Sequence, residues 1–373
     1  MRLLSRRQFL LAPAVAAVAC GPRRSSGYDG YAFVANHDGQ AIAVVDLATF
    51  TLARHVPVEG NPTAVAAPGG APAVYALTAA DGHLHEITTE NLSVKRRVAV
   101  ARNCVSMLVS PDGKALWLLC RQPRLLVRVP LQSFRPERPI ALPLDPVDFD
   151  LSSDGGRAVV CFSESDRFGL VDTGNRSCQL FGGGRNLSLA RFRSDDHQIL
   201  LAAADEPLLT VADARSGHVV VQLPLAVRAE HLCFKSDGGQ LFITGEGMDA
   251  VVVVYPFTTE VAETALAGRA PGVMTECATD DTDFLFVANP FSGEVTILDI
   301  DTRKVIAGVA VGRKPSSIIV TPDARYVLVL NEDSGDMAVI RTAAIAAKRD
   351  RSAPLFTMVP LGSRPVAGAV RHA

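Results

Sequence analysis

The chain has 373 residues, with 37 basic and 39 acidic side chains and a formal net charge of −2. This balance does not favour bulk electrostatic binding to double-stranded nucleic acid or to an anionic membrane. The length suffices for one large core, and closed all-β folds of this size often form a single domain.

The first twenty residues have the pattern of an export signal. Residues 5–10, Ser-Arg-Arg-Gln-Phe-Leu, precede an apolar run that is too short to cross a bilayer. They resemble the twin-arginine signal, with Arg6 and Arg7 as its pair. Residues 17–20, Ala-Val-Ala-Cys, resemble a lipobox, which implies that Cys20 is lipidated; an ordinary signal peptide with a chance cysteine is the alternative.

These motifs predict the organisation of the chain. Residues 1–19 are expected to be the signal peptide, 20–30 the lipidated cysteine with a flexible tether, and 31–373 a single domain. We therefore expect an exported protein of the periplasm or cell envelope that is attached to the membrane through its lipid.

Turn signals of the Asp-Gly type recur before short apolar strands, about 41 to 43 residues apart, a spacing typical of propeller blades. They occupy residues 68–70, 111–113, 154–156, 195–196, 237–239, 280–281 and 322–324. Asp-Gly between apolar runs predicts a tight hairpin whose two turn residues both have positive φ.

Each period has the same internal order. One strand ends in Asn or an equivalent residue, a second ends in Asp, and a third leads into a corner that contains Gly and Pro. Examples are 284–289, 296–299 and 312–315. Short, β-branched strands between turn residues predict an all-β repeat.

Residues 284–331 contain Phe-Leu-Phe-Val-Ala-Asn, Val-Thr-Ile-Leu-Asp, Val-Gly-Arg-Lys-Pro and Thr-Pro-Asp-Ala-Arg-Tyr-Val in succession. This segment resembles the YVTN β-propeller repeat. Residues 31–62 are similar, whereas 114–196 match only in spacing and turns. The resemblance covers about residues 30–373 and implies a β-propeller of four-stranded antiparallel blades. It implies little about function, because a fold hosts many functions.

Eight repeats can be counted, although seven blades, the usual number in that family, are the alternative. The repeats start near Tyr31, Ala73, Ala115, Ala158, Gln198, Leu241, Phe284 and Tyr326. Residues 365–371 are predicted to form an innermost strand beside the one from Tyr31, which would close the ring and remove its free edges. Residues 342–354 are a predicted helical or irregular insertion, and we expect a monomer.

Arginine recurs at the corner position in six of the eight repeats. The six are Arg102, Arg185, Arg228, Arg269, Arg313 and Arg364, with Asn61 and Asp145 in the other two repeats and His231 nearby. Equivalent positions of a ring converge on one axis, and guanidinium groups bind carboxylates and phosphates. The sequence therefore predicts an anion site at one channel mouth; alternatively, these arginines are solvated or paired with acids of adjacent loops.

Other motifs carry little chemistry. His83 and His85 share one strand face but lack a third ligand, so no metal site is predicted. The six cysteines after Cys20 show no zinc, redox or haem spacing, and their spacing does not pair them. No phosphate-binding loop and no Ser-His-Asp set can be assembled.

Two classes of function follow. The first is a ligand-binding or protein-interaction module on a lipid tether, without a cofactor, whose partner is an unidentified protein or a small anion. The alternative is an enzyme, either a lactonase-like hydrolase or a cofactor-bearing oxidoreductase of haem type with His37 or His231 as candidate ligands.

Trp117 is the only tryptophan, which disfavours quinoprotein, tryptophan-aspartate and kelch propellers. Aromatics are scarce and none adjoins an arginine corner, which disfavours single-stranded nucleic acid.

Overall fold

The computed structural model describes residues 27–346 and 353–372. They form eight four-stranded antiparallel sheets, the blades of a β-propeller, which confirms the prediction of eight rather than seven. The predicted signal peptide, including Arg6 and Arg7, and the lipidation site Cys20 lie outside these residues. Within the described ranges, no helix is long and apolar enough to cross a membrane.

The strands follow one another from the centre of each blade to its rim, except in blade 1, where the last strand of the chain is innermost. Blade 1 contains β1 (Gly30–Asn36), β2 (Ala41–Asp46), β3 (Thr51–Pro57) and β32 (Pro365–His372). Blade 2 contains β4 (Ala64–Ala66), β5 (Ala73–Thr78), β6 (His83–Thr88) and β7 (Ser93–Ala99). Blade 3 contains β8 (Arg102–Val109), β9 (Ala115–Gln122), β10 (Arg124–Pro130) and β11 (Ile140–Ala141). Blade 4 contains β12 (Pro146–Leu151), β13 (Arg157–Phe162), β14 (Arg167–Asp172) and β15 (Ser177–Gly182).

The second half of the ring repeats this order. Blade 5 contains β16 (Leu187–Phe192), β17 (Gln198–Ala203), β18 (Leu208–Asp213) and β19 (Val219–Pro224). Blade 6 contains β20 (Arg228–Phe234), β21 (Leu241–Glu246), β22 (Ala250–Tyr255) and β23 (Glu260–Leu266). Blade 7 contains β24 (Met274–Ala278), β25 (Asp283–Asn289), β26 (Glu294–Asp299) and β27 (Lys304–Ala310). Blade 8 contains β28 (Pro315–Val320), β29 (Tyr326–Asn331), β30 (Asp336–Arg341) and β31 (Leu355–Pro360), with a short helix, α1 (Ala343–Ala346), in the predicted insertion.

The core lies between adjacent blades. All six residues of β5 and of β29 are buried, because both faces of a blade pack on its neighbours, and continuous apolar runs suit strands of that kind. One such cluster joins Phe286 of blade 7 to Ile340 of blade 8. Burial of these interblade layers is the main favourable contribution to the fold.

The ring closes as predicted. β32 pairs with β1 in an antiparallel register that runs from Gly30 opposite His372 to Ala35 opposite Ala367. Blade 1 is therefore built from both ends of the described chain, and it has four strands like the other seven blades.

The Asp-Gly-type turns differ from the prediction that both turn residues have positive φ. In residues 111–113 only Gly113 has a positive φ, of 68°, and the same holds for Gly155 in its turn. The Asp side chain accounts for the difference, since Asp154 Oδ1 accepts hydrogen bonds from the Ser152 hydroxyl at 2.6 Å and from the Gly156 N–H at 2.8 Å. These bonds stabilise a longer turn in which one residue is left-handed.

Two parts of the repeat, the Asn that ends a strand and the Gly of the corner, form one packing unit. Asn289 and Asn331 are fully buried. A Cβ added to Gly268 would lie 2.4 Å from Asn289 Cγ, and one added to Gly312 would lie 2.6 Å from Asn331 Cγ. Glycine is therefore required at these corners because a buried amide occupies the space that a side chain would need.

Cysteine pairing was not predicted from spacing. Cys104 and Cys120 form a disulfide between the adjacent strands β8 and β9. Cys161 and Cys277 are free and buried, as expected for small residues in strands.

We name the two ends of the propeller by their connections. The corner face holds the corners between blades and the loops that follow each Asn-ended strand. The turn face holds the Asp-Gly-type turns, and Gly30 and His372 also pair there.

Candidate functional site

All six arginines that the sequence singles out lie at corners on the corner face, but they do not form a uniform ring. Arg228 is paired with Glu246, and Arg364 Nε lies 2.8 Å from Glu332 Oε1. Asp38 adds a second, longer contact to Arg364 at 3.8 Å. At these two corners the alternative interpretation applies, in which the arginine is paired with an acidic side chain.

The other four arginines lack a carboxylate partner among the described residues. They are Arg102, Arg185, Arg269 and Arg313, all exposed. Arg313 Nη2 donates to the backbone carbonyl of Asp333 at 3.0 Å, which leaves its charge unneutralised. Asn61 occupies the same corner position in blade 2 and lies 3.3 Å from the His37 ring, whereas Asp145 in blade 4 is paired with Arg121.

Two adjoining pockets on the corner face form what we call the blade 6–8 groove. One pocket, of about 790 Å³, lies over blades 5 to 7, and the other, of about 780 Å³, lies over blades 7 and 8. Pro290 and Phe291 line both pockets. Phe291 is 82% exposed, so its ring stands between the pockets as an uncovered apolar surface.

The first pocket, which we call the acidic pocket, contains His231 on β20. Burial lowers the pKa of His231, and no hydrogen bond to its imidazole occurs within residues 27–346 and 353–372. The imidazole is therefore neutral at pH 7 and keeps a lone pair available. Glu230, Glu246 and Asp249 line the same pocket against the single cation Arg228, so its net charge is negative.

The second pocket, which we call the basic pocket, is lined by Arg313, Lys314 and Asp333. Lys314 Nζ lies 3.0 Å from Glu332 Oε2, so Arg313 is the cation of this pocket that has no carboxylate partner in the described part of the chain. Arg269 directly precedes Ala270, which lines the neighbouring acidic pocket. The corners that carry Arg269 and Arg313 thus lie on either side of Phe291.

The apolar half of this site was not predicted from the sequence. We expected no aromatic residue beside an arginine corner, and this was wrong, because Phe291 and Arg313 line the same pocket. Met248, which is 45% exposed, adds a second large, exposed apolar side chain to the acidic pocket. The sequence does contain evidence for this apolar surface. In the loops after β21 and β25, Met248 and Phe291 are large apolar residues among otherwise polar or small ones.

A second polar cluster that spacing did not reveal lies between the innermost strands of blades 4 and 5. Asp148 Oδ2 lies 2.6 Å from Arg191 Nη1 and accepts the Ala190 N–H at 3.0 Å. Asp150 accepts the Phe192 N–H at 2.8 Å, and burial raises its pKa. These carboxylates accept hydrogen bonds from backbone donors of the neighbouring blade, so the cluster joins two blades.

The histidine pair of blade 2 is also structural. The rings of His83 and His85 are 6.4 Å apart, but Glu86 is engaged by Arg96, and the described residues contain no group of three metal-ligating side chains. His85 is buried, and its Nε2 lies 3.4 Å from the Thr78 hydroxyl. His85 in blade 2 occupies the repeat position of Thr296 in blade 7, whose hydroxyl lies beside the Asn289 side chain.

The buried His85 predicts a loss of stability in acid. Burial lowers the pKa of His85 from 6.5 to about 4, so protonation favours the unfolded chain, and stability should fall as the pH drops from about 6.5 to about 4. The variant His85→Asn keeps a polar partner for Thr78 without a group that titrates in this range. Urea unfolding at intervals between these pH values should give a flatter profile for the variant, and parallel profiles would contradict this assignment.

Known structures share the fold. Dihydro-heme d1 dehydrogenase NirN matches 94% of this chain and 78% of its own, with a TM-score of 0.70 and 15% identity. Kuenenia stuttgartiensis hydrazine synthase matches 87% of this chain and 99% of its own, with a TM-score of 0.55 and 17% identity. A functionally unknown protein from Desulfotomaculum acetoxidans matches 75% of this chain and 95% of its own, with a TM-score of 0.58 and 14% identity. At these identities the likeness concerns the fold alone. No family model and no curated protein matches the sequence.

Proposed function

We propose that this protein is an exported, lipid-anchored propeller of the YVTN-repeat type that binds an anionic ligand with an apolar part beside Phe291, at the basic end of the blade 6–8 groove. One observation carries the proposal of binding. The exposed ring of Phe291 lies between two corners whose arginines, Arg269 and Arg313, have no carboxylate partner among the described residues. Apolar area supplies affinity there, and a guanidinium fork orients a carboxylate or phosphate.

Export and anchoring are supported by the signal-like residues 5–20 and by the disulfide between Cys104 and Cys120. Disulfides persist in oxidising compartments and are rare in the cytosol. A lipid on Cys20 would then keep the domain at a membrane surface.

An oxidoreductase of haem type is the competing function. It is supported by the fold shared with dihydro-heme d1 dehydrogenase NirN and by the neutral imidazole of His231, which has no hydrogen bond to any residue that the structure describes. The rest of the acidic pocket does not fit a haem that carries propionate groups, because Glu230, Glu246 and Asp249 would face those groups and Arg228 is already paired. We therefore assign no redox step to this site. A haem absorbance band in protein purified from its native host would overturn that choice.

The binding proposal is tested with two carboxylate probes that differ only in chain length, octanoate and acetate. Octanoate should raise the melting temperature more than acetate, because its chain packs against Phe291. The double variant Arg269→Gln/Arg313→Gln should bind octanoate about tenfold more weakly or worse, since a hydrogen bond to a charged group is worth about 1.5–3 kcal/mol. The variant Phe291→Ala should remove the preference for the longer probe.

The matched control is Arg102→Gln/Arg185→Gln, which changes two corner arginines without carboxylate partners on blades 3 and 5. These positions lie outside the groove, so octanoate binding should stay at the wild-type level. Equal weakening in both double variants would mean that the probe senses overall charge, and absence of binding by the wild type would reject the groove as an anion site.

A further inference from the structure

The described chain enters the propeller on the turn face. Gly27 lies against the backbone of Leu47 and Ala48, in the turn between β2 and β3 of blade 1. Tyr28 packs beside Phe50 of the same turn in the core between blades 8 and 1. The groove described above opens on the opposite, corner face.

Exposed apolar side chains are concentrated on the same face. Of the twelve large apolar residues that are exposed in the described ranges, eight lie at the turn-face ends of outermost strands or in the turns that precede them. They are Leu52, Val219, Val220, Phe257, Val261, Val305, Ile306 and Phe356. They belong to blades 5, 6, 7, 8 and 1, which are consecutive around the ring, and the outermost strands of blades 2 to 4 contribute none. We call this set the turn-face arc.

Exposed charges of both signs accompany the arc on the same strands and turns: Arg54, Arg215 and Lys304, and Glu260, Glu263 and Asp301. These charges balance, so the exposed apolar side chains rather than net charge suit the arc to the boundary between acyl chains and headgroups. One end of the arc, at Leu52 and Phe356, lies in the blades that flank the point where the chain enters.

We propose that the turn-face arc is a membrane-docking edge, so that the propeller stands on the bilayer with its turn face and presents the blade 6–8 groove away from it. The length of chain before Gly27 supports a lipid surface as the occupant. Six residues lie between Cys20 and Gly27, and the seven Cα–Cα steps that join the two span at most about 25 Å when fully extended. A lipid on Cys20 would thus hold blade 1 near the bilayer by its turn face, next to the arc.

This inference extends the proposed lipid anchor, and it is tested in a way that also works without that anchor. The native Trp117 is 5% exposed, so a tryptophan placed on the surface gives a separable fluorescence signal. The two reporters are Val261→Trp, in the arc, and Leu266→Trp, at the corner-face end of the same strand β23. They are five residues apart, about 17 Å along an extended strand.

Each reporter chain is bound to vesicles of phosphatidylcholine and phosphatidylglycerol whose acyl chains are brominated. In one arm the mature chain carries its own lipid. In the other arm the variant Cys20→Ser is held by a C-terminal histidine tag on a nickel-chelating lipid, because His372 also lies on the turn face. Emission from Val261→Trp should fall strongly in both arms, relative to vesicles without bromine, whereas Leu266→Trp should keep its emission.

The two arms separate the two proposals. A mature chain that fails to float with vesicles would refute lipidation, while the tagged arm would still test the arc. Unchanged emission from Val261→Trp on tagged vesicles would overturn the docking edge and leave the arc as solvated surface or a protein contact. Stronger quenching of Leu266→Trp than of Val261→Trp would overturn the proposed orientation.

Discussion

A chain that ends at Gly362 is expected to lose most of the stability of the domain. The truncation removes β32, so β1 loses its inner neighbour along its whole length. β1 then becomes the exposed edge of a three-stranded blade. It also removes Val366, Ala367 and Val370 from two interblade clusters. Single domains have a total stability of only about 5–15 kcal/mol, so a loss of several kcal/mol should leave the truncated chain largely unfolded or aggregated at 37 °C.

The control for this truncation is a chain that ends at His372 and keeps the whole closing strand. It should unfold in urea at the wild-type midpoint. If the chain that ends at Gly362 shows the same midpoint and the same dependence on urea as this control, the terminal strand does not hold the ring together.

The second large effect is expected at a corner glycine. A Cβ at position 268 would lie 2.4 Å from Asn289 Cγ, inside contact distance of a fully buried side chain. Asn289 cannot move aside without losing its bond to the Thr296 hydroxyl, which is 2.9 Å long. Gly268→Ala should therefore destabilise the protein by about 2 kcal/mol or more, because overpacking and a broken buried hydrogen bond add.

Gly308 offers a matched comparison, since it lies on the outermost strand of the same blade. A Cβ there would have no heavy atom within 4 Å, and φ at Gly308 is not positive. Gly308→Ala should change the free energy of unfolding by no more than about 0.5 kcal/mol. Similar urea midpoints for the two alanine variants would show that the Asn289 side chain does not require glycine at position 268.

The repeat made most of the architecture predictable. Strand order, the number of blades and the closing strand could be inferred because each blade uses the same turns, Asn-ended strands and Gly corners, and a ring must bury its edges. The corner position of Arg269 and Arg313 was predictable for the same reason, since equivalent positions of a repeat occupy equivalent places.

The features that the repeat does not encode were not predictable. Charge pairing at Arg228 and Arg364 depends on loops of different length and composition, and the same is true of the groove beside Phe291. The disulfide of Cys104 and Cys120 depends on the register of two strands, which spacing alone cannot resolve. Turn conformation was missed because the Asp side chain binds the backbone, an effect that the dipeptide rule for hairpins does not include.

The closing strand also sets an order of events for biosynthesis. β32 is the innermost strand of the first blade, yet among the described strands it is the last that a ribosome makes. Blade 1 consequently cannot be complete while any part of β32 is still missing, whatever the other seven blades have done. A translocation channel that threads unfolded chains would have to leave the inner edge of β1 without a partner until β32 emerges, whereas a route that carries folded proteins delivers the ring already closed.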